Sequence, residues 1–213
     1  MALFADRTAA GRELGSVLAD RRGTDAIVFG IPRGGIVVAA EVARLLVLPL
    51  AAVVVRKLGM PSHEEFAVGA IADGVRVMNE GSRGARHLSA AELQAVEDRE
   101  RRELLRRTTR FGSVPDDLSG ITALVVDDGV ATGATALAAC RSLRSRACDA
   151  VVLAVPVAPE GWKPEPGAAD EFLCPHRERD FWAVGQFYDD FAQTSDAEVV
   201  ELLSHDPHDP RDL

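Results

Sequence analysis

The chain has 213 residues, of which 47% are hydrophobic and 27% are charged, and its formal net charge is -9 at pH 7. This composition excludes a disordered chain, which combines low hydrophobicity with high charge, and the sequence has no collagen-like repeat. The excess of 33 acidic over 24 basic residues repels a phosphate backbone, so we expect no nucleic-acid partner. The length and apolar content predict a globular protein with a sizeable core.

The sequence contains no segment typical of membrane insertion or export. Pro49 and Asp149 interrupt the longest apolar runs before they reach the ~18 residues of a membrane span. Asp6 and Arg7 stand where a secretion signal would be apolar, which predicts a cytoplasmic protein without a membrane partner. The cysteines are odd in number and lack CxxC spacing, so we expect thiols without a chemical role: Cys140, Cys148 and Cys174.

Short β-branched runs alternate with helical patterns along the first part of the chain, which is typical of an α/β fold. In chain order they predict a helix, a strand, a helix and a strand, at 9–19, 26–30, 36–46 and 50–57. Asp73 and Gly74 then predict the turn of a β-hairpin between strands at 66–72 and 75–78.

The most charged part of the chain predicts a helix inserted at about 89–111. Ser89 and Glu92 have the spacing of a capping box, with Leu88 and Leu93 at the hydrophobic-staple positions on either side. The many arginines beside a narrow apolar face allow two interpretations. We favour a solvated helix held by Glu–Arg pairs over an anion-binding patch.

The second half of the chain repeats the alternation of strands and helices. It predicts, in order, a strand, a helix and a strand, then short strands, at 121–128, 136–145, 150–157, around Phe172 and at 182–187. Ser195 and Glu198 form a second capping box that begins a final helix. We therefore predict a single α/β domain over 1–203, with an open, mainly parallel, twisted sheet flanked by helices. Residues 204–213 are expected to be a disordered tail or a linker to a further domain.

The main candidate site follows the strongest predicted strand. Asp127 and Asp128 come at its carboxyl end, where ligands bind in open α/β sheets. The loop that follows offers glycine amides, threonine hydroxyls and the positive end of the next helix, and these groups suit a phosphate monoester. It consists of Gly129, Val130, Ala131, Thr132, Gly133, Ala134 and Thr135. Because like charges repel, the two carboxylates should bind sugar hydroxyls or a divalent metal instead.

This stretch resembles the signature of type I phosphoribosyltransferases, which bind 5-phosphoribosyl-1-pyrophosphate (PRPP). The shared pattern is a hydrophobic strand, two acidic residues, two small or aliphatic residues and then small-Thr-Gly-x-Thr. A simple turn after a core strand is the alternative, but composition, order and flanking elements favour the resemblance. The likeness runs in order from Ala26 to Asp189 and implies the fold of that family, with a small hood drawn from about 160–195.

Two further segments resemble the pyrophosphate-binding parts of the family. Gly30–Gly35 looks like its pyrophosphate loop, where backbone amides and a basic residue hold the leaving group, here Arg33, Gly34 and Gly35. Pro32 and Arg33 break the G-x-G-x-x-G pattern of a Rossmann nucleotide loop. Val55–Pro61 is similar to the V-R-K-x-G-x-P stretch of adenine phosphoribosyltransferases, which implies that Arg56 and Lys57 contact pyrophosphate.

The same resemblance suggests a lid and a base-binding hood. Ser62, His63 and Glu64 would lie in or near the lid, although a lone histidine is more often a surface residue than a catalyst. Phe181–Asp189 loosely resembles the hood of purine phosphoribosyltransferases, in which Trp182 would stack on the base and Asp189 would approach the metal. The alternative is that these aromatic residues only cover the edge of the sheet.

The resemblance implies a magnesium-dependent transfer of the phosphoribosyl group from PRPP to a nitrogenous base or other nucleophile. Asp127 and Asp128 would fix the ribose, favour its cationic transition state and, with Asp189, hold Mg²⁺. The basic residues and the metal would stabilise the departing pyrophosphate, with no covalent enzyme intermediate. Family members commonly dimerise, so a homodimer is also implied.

The sequence departs from the family in ways that leave the acceptor open. Ala131 stands where enzymes acting on oxopurines place an aspartate, which argues against hypoxanthine or guanine. Gly129 stands where the family prefers an aliphatic residue, and the inserted helix is not part of the usual plan of adenine enzymes. Two alternatives therefore remain. One is a non-catalytic regulator that senses PRPP or a nucleotide, in which the arginines of the inserted helix would bind a partner or nucleic acid. The other is a generic Rossmann-type nucleotide binder in which both aspartates are idle.

Overall fold

The computed structural model describes residues 2–60, 63–78 and 89–204. Its helices are α1 (Arg7–Val17), α2 (Gly34–Leu46), α3 (Ala90–Phe111), α4 (Ala134–Arg144) and α5 (Asp196–Ser204). Its strands are β1 (Ala26–Gly30), β2 (Leu50–Ala52), β3 (Val55–Met60), β4 (His63–Ala72), β5 (Val75–Met78), β6 (Thr122–Val126), β7 (Ala150–Ala154), β8 (Val157–Pro159), β9 (Glu171–Leu173) and β10 (His176–Glu178).

A parallel sheet in the order β2-β1-β6-β7-β9 forms the centre of the fold. Its central strands are apolar runs buried on both faces, as parallel strands covered by helices are. Val28 and Leu124 pack on one face with α1, α2 and α5, while Phe29 and Val125 pack on the other with α4. The predicted open parallel sheet flanked by helices is confirmed.

A second, antiparallel sheet consists of β3, β4 and β5. The hairpin predicted at Asp73 and Gly74 is confirmed, since β4 and β5 pair on either side of that turn. The single strand predicted at 50–57 is wrong: β2 pairs with β1 in the parallel sheet, and β3 then pairs with β4. The chain therefore leaves the central sheet at residues 53–54 and continues into β3 of the second sheet.

The charged helix α3 begins at Ala90, as its capping box predicts. Ser89 Oγ accepts the Glu92 amide at 3.2 Å, and Glu92 Oε2 accepts the Ser89 amide at 2.9 Å. The narrow apolar face is buried beside β3, at Val96, Leu104 and Phe111. The solvated-helix interpretation did not predict that the acidic side chains of Glu97 and Glu100 are buried with it. The predicted Glu–Arg pairs are confirmed, as between Glu103 and Arg106, while Leu88 of the predicted staple lies outside the described residues.

The last part of the chain forms short elements around the end of the central sheet. The strand predicted at 150–157 is divided between β7 and β8, and β8 pairs with β10 in a small parallel sheet. The strand predicted at 182–187 is wrong, since Val184–Phe187 is a 3-10 helix. Gln186 explains the difference: its Oε1 accepts the amides of Trp182 and Ala183, at 2.8 and 3.1 Å, and so holds the chain in a turn.

The predicted capping box at Ser195 is confirmed, because Glu198 N donates to Ser195 Oγ at 3.2 Å and α5 follows. The cysteines are free thiols, with Cys140 and Cys148 buried. Within the described residues no helix is long and apolar enough to cross a membrane. Residues 205–213 of the predicted tail lie outside the described residues.

Candidate functional site

The two loops singled out in the sequence begin side by side. β1 and β6 are neighbours, and Gly30 lies opposite Val126 in their parallel register. The loop after Gly30 enters α2, and the loop after Val126 enters α4, so both helices point their N-termini at the same edge of the sheet. This is the crevice at the carboxyl ends of the strands in which open α/β sheets bind ligands.

Gly34 and Gly35 lie directly against the pair of aspartates. A Cβ atom on Gly35 would lie 2.7 Å from Asp127 Oδ1, and one on Gly34 would overlap Asp128 Oδ2. Only glycine permits so close an approach of the backbone to both carboxylates. The predicted pyrophosphate loop and the predicted ribose-binding acids are therefore in direct contact. Within that loop, the peptide bond between Pro32 and Arg33 is cis.

Asp128 is held by two residues to which the sequence analysis assigns no role in the site. Arg7 Nε donates to Asp128 Oδ2 at 2.8 Å, and the hydroxyl of Tyr188 donates to the Asp128 carbonyl oxygen at 2.6 Å. Arg7 Nη1 also donates to the Ala192 carbonyl oxygen at 2.8 Å, and its guanidinium stacks over Phe191, 3.8 Å from the ring centroid. One arginine thus joins α1, the end of the hood and the aspartate pair.

Burial raises the pKa of the Asp127 carboxyl well above its usual range, and the neighbouring charge of Asp128 adds to this effect. Burial also raises the pKa of Asp128, while the charge and hydrogen bond of Arg7 and the charge of Lys57 oppose the rise. Burial raises the pKa of Tyr188 as well, so its hydroxyl stays protonated and donates. A cation beside the two acids would stabilise their ionised forms.

The loop before α4 presents open hydrogen-bond donors. Val130 N donates to Val157 O at 3.0 Å, and Leu137 N donates to Gly133 O at 2.9 Å. Between them, the amide groups of residues 131–136 have no acceptor among the described residues, and neither do the hydroxyls of Thr132 and Thr135. Such converging donors at a helix N-terminus form a site for a phosphate group.

Two glycines of this loop lie under hood side chains. Gly133 has φ 87° and lies beneath Trp162, whose Nε1 donates to the Thr132 carbonyl oxygen at 3.3 Å. At Gly129, a Cβ would lie 2.6 Å from Cγ1 of Val184, which explains why the aliphatic residue usual in the family is absent here. Trp162 is a further residue that the sequence did not indicate, since it lies in a Pro/Gly-rich loop without a motif.

A cavity of about 260 Å³ opens beside these loops. Its walls come from Pro32, β3, α3 and Thr135. Both Arg56 and Lys57 line it, but Arg56 is paired with Glu100 of α3, with Nη2 2.7 Å from Oε2. Arg33 is also paired, with its Nη1 3.6 Å from Asp196 Oδ1. Among the predicted pyrophosphate-binding cations, Lys57 alone has no ion-pair partner within the described part of the chain.

The structure does not bring every predicted residue to this cavity. Trp182 is 90% exposed and lies on the surface. Asp189 is also exposed, and its amide donates to Phe4 O at 2.9 Å. Ser62 of the predicted lid lies outside the described residues, and at His63 and Glu64 the structure describes only the backbone of β4.

The aspartate pair fits a magnesium ion. Mg²⁺ takes hard oxygen ligands, commonly one or two carboxylates together with substrate phosphates and water. Asp127 and Asp128 offer such oxygens, and a cation beside them would stabilise the ionised forms that their burial disfavours. The described residues contain no group of three or more metal-binding side chains, so Asp189 does not join them in a three-carboxylate site.

Comparisons with known proteins place the chain in a protein family. Residues 6–192 match the family described as "Phosphoribosyl transferase domain". The chain is 50% identical over 207 residues to the protein named "Putative phosphoribosyl transferase Rv0571c" from Mycobacterium tuberculosis, a match that covers 95% of this chain and 47% of that protein. The chain thus spans about half the length of the curated relatives it matches.

Solved structures show the same fold. The crystal structure of TT1426 from Thermus thermophilus is 36% identical, with a TM-score of 0.71 over 94% of this chain and 97% of that one. A hypothetical protein from Neisseria gonorrhoeae, solved with bound ppGpp, has a TM-score of 0.52 at 17% identity and covers 93% of this chain and 91% of its own. From the match over residues 6–192, the chain belongs to the phosphoribosyl transferase domain family.

Proposed function

We propose that the protein is a magnesium-dependent phosphoribosyltransferase, which moves the 5-phosphoribosyl group from PRPP to a nitrogenous base or other nucleophile and releases pyrophosphate. One observation carries the proposal. The carboxylates of Asp127 and Asp128 lie against the backbone of Gly34 and Gly35. The loop that follows them in the chain presents the amide groups of residues 131–136, which have no acceptor among the described residues. Acceptors for sugar hydroxyls and donors for a phosphate thus meet at one edge of the sheet.

The donor end of the substrate is anchored by main-chain groups. The amides of residues 131–136 and the hydroxyls of Thr132 and Thr135 hold the 5-phosphate, as the N-terminus of a helix holds an anion. Asp127 and Asp128 accept hydrogen bonds from the ribose hydroxyls. Fixing both ends of the ribose phosphate keeps its C1 atom beside the cavity, where the leaving group and the acceptor meet.

The reaction needs electrostatic stabilisation rather than a covalent intermediate. As the bond between C1 and pyrophosphate breaks, positive charge develops on the ribose and negative charge on the leaving group. Asp127 and Asp128 stabilise the first, and Lys57 together with amides of the Pro32–Gly35 loop stabilises the second. When bound, Mg²⁺ would neutralise part of the diphosphate charge as a Lewis acid. Asp127 and Asp128 are the residues that would hold it.

A regulator that binds PRPP or a nucleotide without turnover is the second candidate. Arg33 and Arg56, which would contact the leaving group, are each paired with an acid, Asp196 and Glu100. The fold neighbour from Neisseria gonorrhoeae holds ppGpp, a nucleotide with two diphosphate groups. A binding protein on this fold therefore has to be tested beside the enzyme. A homodimer and a cytoplasmic location stay predictions.

Pyrophosphate release separates the two candidates. The protein is incubated with PRPP, Mg²⁺ and each member of a panel of nucleobases and amines, and free pyrophosphate is measured. Release that depends on one acceptor and is lost in Asp127→Asn supports the transferase. PRPP or ppGpp binding without release across the panel supports the regulator. The absence of PRPP binding contradicts the transferase, and the absence of binding to both PRPP and ppGpp contradicts both candidates.

A further inference from the structure

The inserted helix α3 forms one wall of the ligand cavity. Arg99, Glu100 and Arg107 of α3 line it, opposite Arg56 and Lys57 of β3. The helix is anchored there by its own core contacts, since Val96, Leu104 and Phe111 are buried in the main hydrophobic cluster. The backbone of α3 therefore holds these arginines beside the site.

The lining of the cavity carries more cations than acids, although Glu103 next to the lining pairs with Arg107. Its lining includes four cationic side chains, from Arg56, Lys57, Arg99 and Arg107, and one carboxylate, from Glu100. That carboxylate is shared: its Oε2 accepts from Arg56 Nε at 2.9 Å, and its Oε1 accepts from Arg99 Nε at 3.0 Å. Glu100 itself is nearly buried, with 7% of its side chain exposed. An internal carboxylate thus binds two cations on opposite walls.

We propose that Arg99 and Arg107 of α3 bind the diphosphate end of the substrate, together with Lys57, and so make the inserted helix part of the binding site. This inference rests on the proposed function. Guanidinium groups bind phosphate oxygens through two parallel hydrogen bonds, and cations on facing walls suit an anion with several charges. The proposed 5-phosphate site at residues 131–136 shares only Thr135 with the lining of the cationic cavity, which leaves the cationic side chains for the diphosphate.

Two neighbouring arginines of α3 provide a matched pair for the test. Arg106 and Arg107 both donate to Glu103, each with Nε at 2.7 Å from a carboxylate oxygen. Arg107 lines the cavity and its side chain is 14% exposed, whereas Arg106 is 48% exposed and extends to Asp196. Arg107→Gln and Arg106→Gln each remove an ion pair with Glu103, and Arg106→Gln also removes the pair with Asp196, but only Arg107 lines the cavity.

The experiment measures dissociation constants by calorimetry for inorganic pyrophosphate, PRPP and ribose 5-phosphate. Arg107→Gln should raise the dissociation constants of pyrophosphate and PRPP about tenfold or more, which is the loss typical of one charge-assisted contact. It should leave ribose 5-phosphate unchanged, because that ligand has no diphosphate. Arg106→Gln should bind all three ligands as the wild type does. Arg99→Gln is the second variant, should the more buried Arg107 be needed for folding, and carries the same expectation.

Each outcome has a distinct meaning. Wild-type affinity for pyrophosphate in both Arg107→Gln and Arg99→Gln overturns this inference while leaving the proposed function in place. An equal loss in Arg106→Gln and Arg107→Gln also overturns it, since the effect would then come from the net charge of the helix. A wild-type protein that binds neither PRPP nor pyrophosphate overturns the proposed function and this inference together.

Discussion

Arg7 Nε donates to Asp128 Oδ2 at 2.8 Å, although the two residues are 121 positions apart in the chain. Both side chains are largely buried, with 11% and 14% exposed. The helix α1 therefore orients one of the two carboxylates proposed to hold the ribose, and the charge of Arg7 keeps the pKa of Asp128 lower than its burial alone would. Arg7 acts on the site through Asp128 as a positioning residue.

Replacing Arg7 should change the pH dependence of binding as well as its strength. In Arg7→Ala the pKa of Asp128 rises further, so the carboxylate becomes ionised only at higher pH. We expect PRPP affinity to fall about tenfold at pH 7 and the acidic limb of its pH profile to move upward. Arg7→Lys keeps the charge, so the acidic limb of its pH profile should lie close to that of the wild type.

Arg12→Ala serves as the control for this prediction. It lies on the same helix, is 63% exposed and pairs with Glu41 away from the site. A purely structural role of Arg7 would lower stability in Arg7→Ala without moving the pH profile, and that result would contradict the prediction.

The charge on Asp127 should cost stability. Because burial and the charge of Asp128 raise its pKa in the folded state above the unfolded value, the fold loses stability as pH rises through that interval. Asp127→Asn keeps the oxygen that accepts the Asp128 amide and removes the charge. At pH 7 we expect its Tm to rise by about 2–4 °C while PRPP binding is lost.

The rise in Tm of Asp127→Asn should disappear below about pH 3, where Asp127 is protonated in both the folded and the unfolded protein. Asp117→Asn is the control of opposite sign, because the Ser119 side chain and amide lower the pKa of that exposed carboxyl. Differential scanning calorimetry from pH 3 to pH 8 measures both variants. A lower Tm for Asp127→Asn at pH 7 would show that the ionised pair stabilises the fold.

Gly133→Ala should damage the phosphate loop specifically. The new Cβ would overlap the Trp162 ring, in addition to the strain of a side chain at φ 87°. Gly167→Ala has nearly the same strain, at φ 80°, but its Cβ would meet nothing within 4 Å. We expect Gly133→Ala to lower the affinity for ribose 5-phosphate at least about tenfold. Gly167→Ala should bind ribose 5-phosphate with wild-type affinity.

The double variant Gly133→Ala, Trp162→Ala separates the two causes. If the overlap with Trp162 displaces the loop, removing the ring should restore part of the affinity measured by calorimetry. No recovery in the double variant would assign the loss to backbone strain alone.

Neutralising Glu100 should strengthen anion binding. In Glu100→Gln, the cations Arg56 and Arg99 lose an internal carboxylate that competes with the diphosphate. We expect pyrophosphate affinity to rise about tenfold and thermal stability to fall, since Arg56 is left half-buried without its partner. Calorimetric titration and a thermal melt measure the two effects.

Glu97→Gln is the control for Glu100→Gln. Glu97 lies one turn earlier on α3, is equally buried and pairs with Arg76 of β5, away from the cavity. It should lower stability without changing pyrophosphate affinity. Unchanged or weaker pyrophosphate binding in Glu100→Gln would mean that its carboxylate does not compete with the ligand.

Much of the central sheet could be predicted from the sequence, because its strands are apolar runs between turn signals. The run 50–57 misled the prediction, since a continuous apolar pattern does not show where a chain passes from one sheet to another. The strand expected at 182–187 failed because one side chain, Gln186, takes up the amides that a strand would pair.

The centre of the candidate site could be located from its motif, since the strand, the two acids and the glycine loop are adjacent in sequence. Arg7, Trp162 and the arginines of α3 could not, because they reach the site through contacts between distant segments. The charge pattern of α3 was compatible with a solvated helix and with an anion site. Only its packing against β3 places Arg99 and Arg107 beside Lys57.

The most direct measurement is phosphorus NMR of PRPP titrated with the protein in the presence of Mg²⁺. If the amides of residues 131–136 hold the 5-phosphate and the cationic cavity holds the diphosphate, the resonances of both groups should shift or broaden in the wild type. Both changes should be lost in the Asp127→Asn, Asp128→Asn double variant. Resonances that stay unchanged at saturating wild-type protein would contradict the proposed site.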